Sequence, residues 1–246
     1  MKIEPIKLIM YGVTDFALMR NPKHPAYFVD HTDLIRELEN TARYALFLRP
    51  RRFGKSLLCA ILQAYYDVDY AHRFDEFFGG LKIGRDPTEE HNQYLILDFD
   101  FSLVYKSDAE VERSFNDICC TRIDKFVTDN AARLPSEAVE GVLAKDGCHA
   151  KLAELCQRLK HLANPVKLYV IIDEYDNFTN TILAESRPRY EALCHGDGFF
   201  KQFFTVLKSA TTGVDAPITR SRPGAASPIS RGRRISGAIP KSVTRC

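Results

Sequence analysis

The sequence predicts an α/β fold with a mostly parallel central sheet, and three features carry that reading. Tyr44–Leu48 and Leu168–Ile172 are unbroken apolar runs, as strands buried on both faces are. Leu57, Leu58, Ile61, Leu62 and Tyr65 recur at helical spacing directly after the first run, so strand passes to helix through a short turn. Between the two runs, α and β patterns alternate.

The elements follow in order. A strand over 44–49 leads to the helix after residue 55, and Tyr94–Leu97 begin a second strand over 94–99 that ends in Asp98, Asp100 and Ser102. Those polar ends either cap the strand or face a ligand crevice. Val111, Phe115, Ile118, Cys119, Ile123, Phe126 and Val127 place a long amphipathic helix within 108–134. A helix over 150–163 passes through Asn164-Pro165 into a strand over 168–173. Phe199, Phe200, Phe203, Phe204 and Leu207 then form an aromatic stripe on a helix over 198–210, which reads as core.

Chemistry concentrates at two strand ends. The turn after the first strand reads Arg49, Pro50, Arg51, Arg52, Phe53, Gly54, Lys55, Ser56 and Leu57. Phosphate binding asks for a strand, a tight loop, a lysine for the β/γ-phosphates, a hydroxyl for magnesium, and a helix whose positive end faces the anion. Lys55 and Ser56 supply the side chains, although Arg49 stands where G-x-x-x-x-G-K-[ST] has its first glycine. A solvated basic turn is the plain alternative. Asp173 and Glu174 follow the 168–173 strand, at the edge where ligands bind in doubly wound sheets. There Asp173 would hold magnesium and Glu174 would polarise the attacking water. The expected architecture is therefore a three-layer P-loop NTPase fold.

The segments YFVDHTDLIREL (27–38), FLRPRRFGKSLL (47–58), FFGGLKI (77–83), YLILDFDFS (94–102) and VIIDEYDN (170–177) resemble the AAA-ATPase-like family of bacterial P-loop proteins. The resemblance implies ATP as ligand with Mg2+, and makes Arg49 part of the family's own loop. It also puts Asp30 and Thr32 near the adenine, with His31 where the family usually has lysine. Many members carry a PD-(D/E)xK nuclease-like domain after the ATPase. No Glu-x-Lys or Asp-x-Lys triplet occurs in these 246 residues, so no nuclease is expected in this chain.

Composition agrees with a cytoplasmic globular domain: 45% of residues are hydrophobic and 27% charged. Lys2, Glu4 and Lys7 interrupt the first apolar residues, so no signal peptide is read, and no run reaches a membrane span. The seven cysteines lack C-x-x-C spacing and read as reduced thiols. Cys148, His149, Cys156, His161, Cys194 and His195 match no zinc spacing, and Cys156 lies on the apolar stripe of its helix.

The expected organisation is an N-terminal segment (1–24), the ATPase-like domain (25–210) and a tail (211–246). The tail has no aromatic residue and seven basic side chains against one acid, Asp215, which predicts disorder. Related ATPases place a further buried strand after the Phe-rich helix, and Ser221-Arg222-Pro223-Gly224 is too polar for one. The fold is therefore expected to be incomplete at its C-terminus, through an altered gene end (a frameshift or truncation) or as a basic nucleic-acid tail. The leading function is an ATP-binding domain with Mg-dependent ATPase activity, acting as a nucleotide-dependent switch. Hydrolysis also asks for an arginine, for which Arg187 and Arg189 are the nearest to the second motif. A nucleic-acid-associated protein and a non-hydrolysing truncated remnant are the alternatives. The sequence points to no membrane and to no particular protein partner.

Overall fold

Four parallel strands, β1 (Tyr44–Arg49), β2 (Tyr94–Asp100), β3 (Lys167–Asp173) and β4 (Ile218–Pro223), form one sheet in the order β1-β4-β3-β2. The computed structural model describes residues 9, 14–23, 26–41, 44–49, 53–104, 110–162, 167–174, 182–183, 186–194, 198–211 and 218–223. The first three strands fall within a residue of their predicted bounds.

β4 corrects the expectation for the tail. Residues 218–223 are a strand, inserted between β1 and β3, with Ile218 opposite both Tyr44 and Val170 and Arg220 opposite both Leu46 and Ile172. A strand flanked on both sides has its backbone polar groups satisfied by ladders, whatever the polarity of its side chains. The β-branched Ile218 and Thr219 favour the extended start, and Pro223, lacking an N–H, ends it. The sheet thus has a strand between β1 and β3, in a stretch expected to be too polar for one. Residues 212–217 and 224–246 lie outside the described residues.

Helices cover both faces of the sheet. They are α1 (Phe16–Met19), α2 (Leu34–Thr41), α3 (Lys55–Tyr66), α4 (Phe74–Phe78), α5 (Lys82–Arg85), α6 (Val111–Asp129), α7 (Ser136–Leu143), α8 (Cys148–Lys160), α9 (Arg187–Cys194) and α10 (Phe199–Thr211). The strand period of two sorts the core. Leu95, Leu97 and Phe99 of β2 join Leu168, Val170 and Ile172 of β3 in a cluster with α6, α8 and α10. Tyr94, Tyr169 and Ile171 point the other way, into a cluster with α3 and the Phe77/Phe78 pair of α4. The predicted aromatic stripe is core: Phe203 is fully buried and meets Phe99 edge-on at 5.3 Å.

The long helix expected over 108–134 stops at Asp129. Asn130 closes it by donating its side-chain amide to the Phe126 carbonyl at 2.9 Å, and Pro135 precedes the separate helix α7. No helix among the described residues is long and apolar enough to cross a membrane.

Two predictions follow from this packing. Thr219→Pro removes an amide hydrogen from β4 at a position flanked by both β1 and β3, at a cost of about 3 kcal/mol or more. We expect a drop of roughly 6 °C or more in Tm by circular dichroism; an unchanged Tm would mean that β4 carries no ladder. Asp67, after α3, accepts from the Asp69 amide at 2.9 Å, yet burial pushes its carboxyl up to about 6. A carboxyl raised above its unfolded value costs stability at pH above about 6, and that cost fades as pH falls toward its unfolded value near 4. Asp67→Asn should therefore raise Tm by about 2–4 °C at pH 8 and by almost nothing at pH 4, as read in thermal melts across pH.

Candidate functional site

The turn after β1 is shaped by one glycine. Gly54 adopts φ 75° and ψ 23°, a left-handed conformation that suits glycine, and sits at the N-cap of α3. With no side chain there, the first turn of α3 has no N-cap side chain to satisfy its amides. Helix bonding starts at once, with the Leu58 amide donating to the Gly54 carbonyl at 2.9 Å. Lys55 is only 7% exposed, Ser56 is half-buried and Phe53 is exposed. Leu57 packs against the α3 cluster. Arg49 is the last residue of β1, while Pro50, Arg51 and Arg52 lie outside the described residues.

The α3 helix is held over β3 and β2 by aromatic contacts at its far end. Tyr66 stacks on Tyr169 with centroids 4.5 Å apart and meets Tyr94 edge-on at 5.4 Å. Burial together with the neighbouring Tyr169 and Glu39 raises the Tyr66 hydroxyl far above its usual range, so it stays protonated and donates to Glu39 Oε1 at 2.9 Å. From Tyr66 back to Lys55 the helix rises about 16 Å, at 1.5 Å per residue. From Tyr169 to Asp173 the strand rises about 13 Å, at 3.3 Å per residue. The first turn of α3 thus reaches the level of Asp173. Asp173 also follows Tyr169 and Ile171 at the two-residue period, which puts it on the face that α3 covers. Lys55 and Asp173 are brought to one face and one edge of the sheet.

Around Asp173 the backbone departs from the strand. Its Oδ1 accepts from the Glu174 amide at 2.9 Å, and Glu174 has φ 53°. A left-handed glutamate costs about 1–2 kcal/mol. Such strain tends to cluster at functional turns. Asp100 is the register partner of Asp173, and the Phe101 amide donates to the Asp173 carbonyl at 3.1 Å. Asp98 is placed elsewhere: it pairs with Arg122 of α6 at 3.1 Å, beside Ile171 in register. Of the two aspartates on β2, Asp100 is the one beside the second motif. Only strand register reveals this.

Asp30 is committed to local structure. Its Oδ1 accepts from the amide and hydroxyl of Thr32 at 2.9 and 2.7 Å, and its Oδ2 from the Lys82 amide at 2.7 Å. Burial works against its ionisation, but these bonds and the nearby Lys82 charge outweigh it, and its pKa is lowered. Thr32 is buried and its Oγ1 also accepts from the Ile83 amide at 3.2 Å. The segment at 30–33 is thereby clamped to the start of α5. Arg187 pairs with Glu191 one turn along α9 at 3.1 Å and is highly exposed; the Arg189 side chain lies outside the described residues.

The chain belongs to the AAA-ATPase-like family, described as a predicted AAA-ATPase, whose match runs over residues 10–219 and ends inside β4. No curated protein and no solved structure matches it.

The conformation of Gly54 can be tested by stability alone. A Cβ at this position meets nothing within 4 Å, so Gly54→Ala is penalised by its positive φ and not by a clash. We expect a loss of about 1–2 kcal/mol in urea unfolding with the slope unchanged. A neutral result would show that the turn is not left-handed.

Proposed function

We propose that this chain binds ATP with Mg2+ and hydrolyses it, on a three-layer P-loop frame, and works as a nucleotide-dependent switch. The observation that carries the reading is the meeting of the α3 N-terminus, with Lys55 and Ser56, and the Asp173–Glu174 strand end on one face and edge of the sheet. The residues present fit such a ligand. The glycine-capped helix start offers amides and a positive dipole end to an anion. Bound magnesium would neutralise charge on the phosphates.

The chain's own groups divide the work. The amides of Gly54 and the first turn of α3 would face the phosphates, and Lys55 would pair with the β/γ oxygens. The hydroxyl of Ser56 and the carboxylate of Asp173 would hold the metal. Glu174 orients the attacking water and accepts its proton at a carboxylate oxygen. Asp30 acts by fixing the 30–33 segment beside the adenine, since its oxygens are already engaged. β4, lying between the two motif strands, is the element from which a γ-phosphate sensor would come.

Two variants test this. Lys55→Ala should weaken a fluorescent ATP analogue by about ten- to hundredfold, the worth of one charged hydrogen bond of 1.5–3 kcal/mol. Glu174→Gln should keep that affinity while phosphate release slows by about 10²–10⁴-fold. Unchanged binding in Lys55→Ala would refute the phosphate loop. Unchanged turnover in Glu174→Gln would remove the assigned base.

A further inference from the structure

A further carboxylate stands at the strand ends that carry the candidate site. Asp100 closes β2 as Asp173 closes β3, and the two are register partners in adjacent parallel strands. Neighbouring strands run about 4.8 Å apart, so the two backbones present their acids side by side. The Phe101 amide ties these ends together by donating to the Asp173 carbonyl at 3.1 Å. Side-chain direction follows from burial: from Ile96 onward β2 alternates half-buried and buried residues, with Leu97 and Phe99 in the core of α6, α8 and α10 and Ile96 packed against the cluster of α3. Asp100 keeps the phase of Ile96 and therefore lies on the α3 face, as Asp173 does.

Both residues are half-buried, so neither carboxylate is sealed in the core. Each is also oriented by the chain just after it: Asp100 Oδ1 accepts from the Ser102 amide at 2.9 Å, and Asp173 Oδ1 from the Glu174 amide at 2.9 Å. Charge then separates the two aspartates of β2. Asp98 has its counter-charge in Arg122 at 3.1 Å, whereas Asp100 pairs with no cation among the described residues. Like charges facing each other across neighbouring strands destabilise a sheet. Two acids on one face and at one edge are suited instead to a cation held between them, and Mg2+ takes one or two carboxylates together with phosphate oxygens.

We propose that Asp100 is a second carboxylate for the divalent cation of the nucleotide site, holding it jointly with Asp173. The inference rests on the nucleotide reading above and adds to it a residue from a neighbouring strand. Asp100 sets how much Mg2+ strengthens nucleotide binding, while Lys55 sets the affinity for the phosphates themselves. Without the cation, its charge works against a polyphosphate at the same edge.

The test is titration of a fluorescent ATP analogue into the full chain, once in saturating Mg2+ and once in EDTA, for the wild type, Asp100→Asn, Asp98→Asn and Lys55→Ala. Asn at position 100 keeps an oxygen for the Ser102 amide and removes only the charge. In Asp100→Asn the gain in affinity brought by Mg2+ should shrink by about ten- to hundredfold. In EDTA the same variant should bind the analogue as well as the wild type or better. Asp98→Asn, altered on the same strand but at the Arg122 pair, should keep the full gain. An unchanged gain in Asp100→Asn, with Lys55→Ala weakened in both media, would overturn this proposal and leave the nucleotide reading standing. Equal weakening of Asp100→Asn in both media would show damage to the fold and overturn it too. Full binding by Lys55→Ala would remove the phosphate loop, and this inference with it. Should Asp100→Asn fail to fold, Asp100→Ser, which also offers an oxygen to that amide, carries the same expectation.

Discussion

Everything at the candidate site depends on the backbone pairing of β4 with two neighbours at once. Among the described strands β1 touches the sheet only through β4, and β3 reaches β1 only through β4. The turn bearing Lys55 and the strand ending in Asp173 share an edge because this one strand joins them. Its contribution comes from main-chain hydrogen bonds, which explains how a polar, basic sequence can hold a central place.

The second constraint is the anchoring of α3. Tyr66, Tyr94 and Tyr169 lock its C-terminal end over the beginnings of β2 and β3, and the hydroxyls of Tyr66 and Thr88 both reach Glu39 Oε1 at 2.9 Å. With one end fixed, helix length alone sets where the other end falls. The aromatic-anchored end thus sets where the Lys55 end of the helix falls along the sheet.

The two faces of the sheet carry different chemistry. On the α3 face the charges are fixed: a buried lysine, a half-buried aspartate and a left-handed glutamate gather at the strand ends. On the other face the core of α6, α8 and α10 is largely apolar, with Ser114 and Lys151 among its buried polar side chains. His149 ties the start of α8 to the start of α10, the helix that precedes β4.

What could be read from residues alone was whatever neighbouring residues encode. Continuous apolar runs located β1, β2 and β3, the helical period located α3, α6, α8 and α10, and turn chemistry singled out Gly54, Lys55, Ser56, Asp173 and Glu174. Residues 218–223 departed from the expectation for their segment because composition argued against a strand there, while a flanked strand is held by backbone groups that composition does not report. Strand order, the alignment of Asp100 with Asp173, and the turning of Asp98 toward Arg122 were decided by the tertiary structure alone. Periodicity and turn preference are local properties of a chain. The choice of a partner across a sheet or between helices is a contest among distant segments, settled only when they pack.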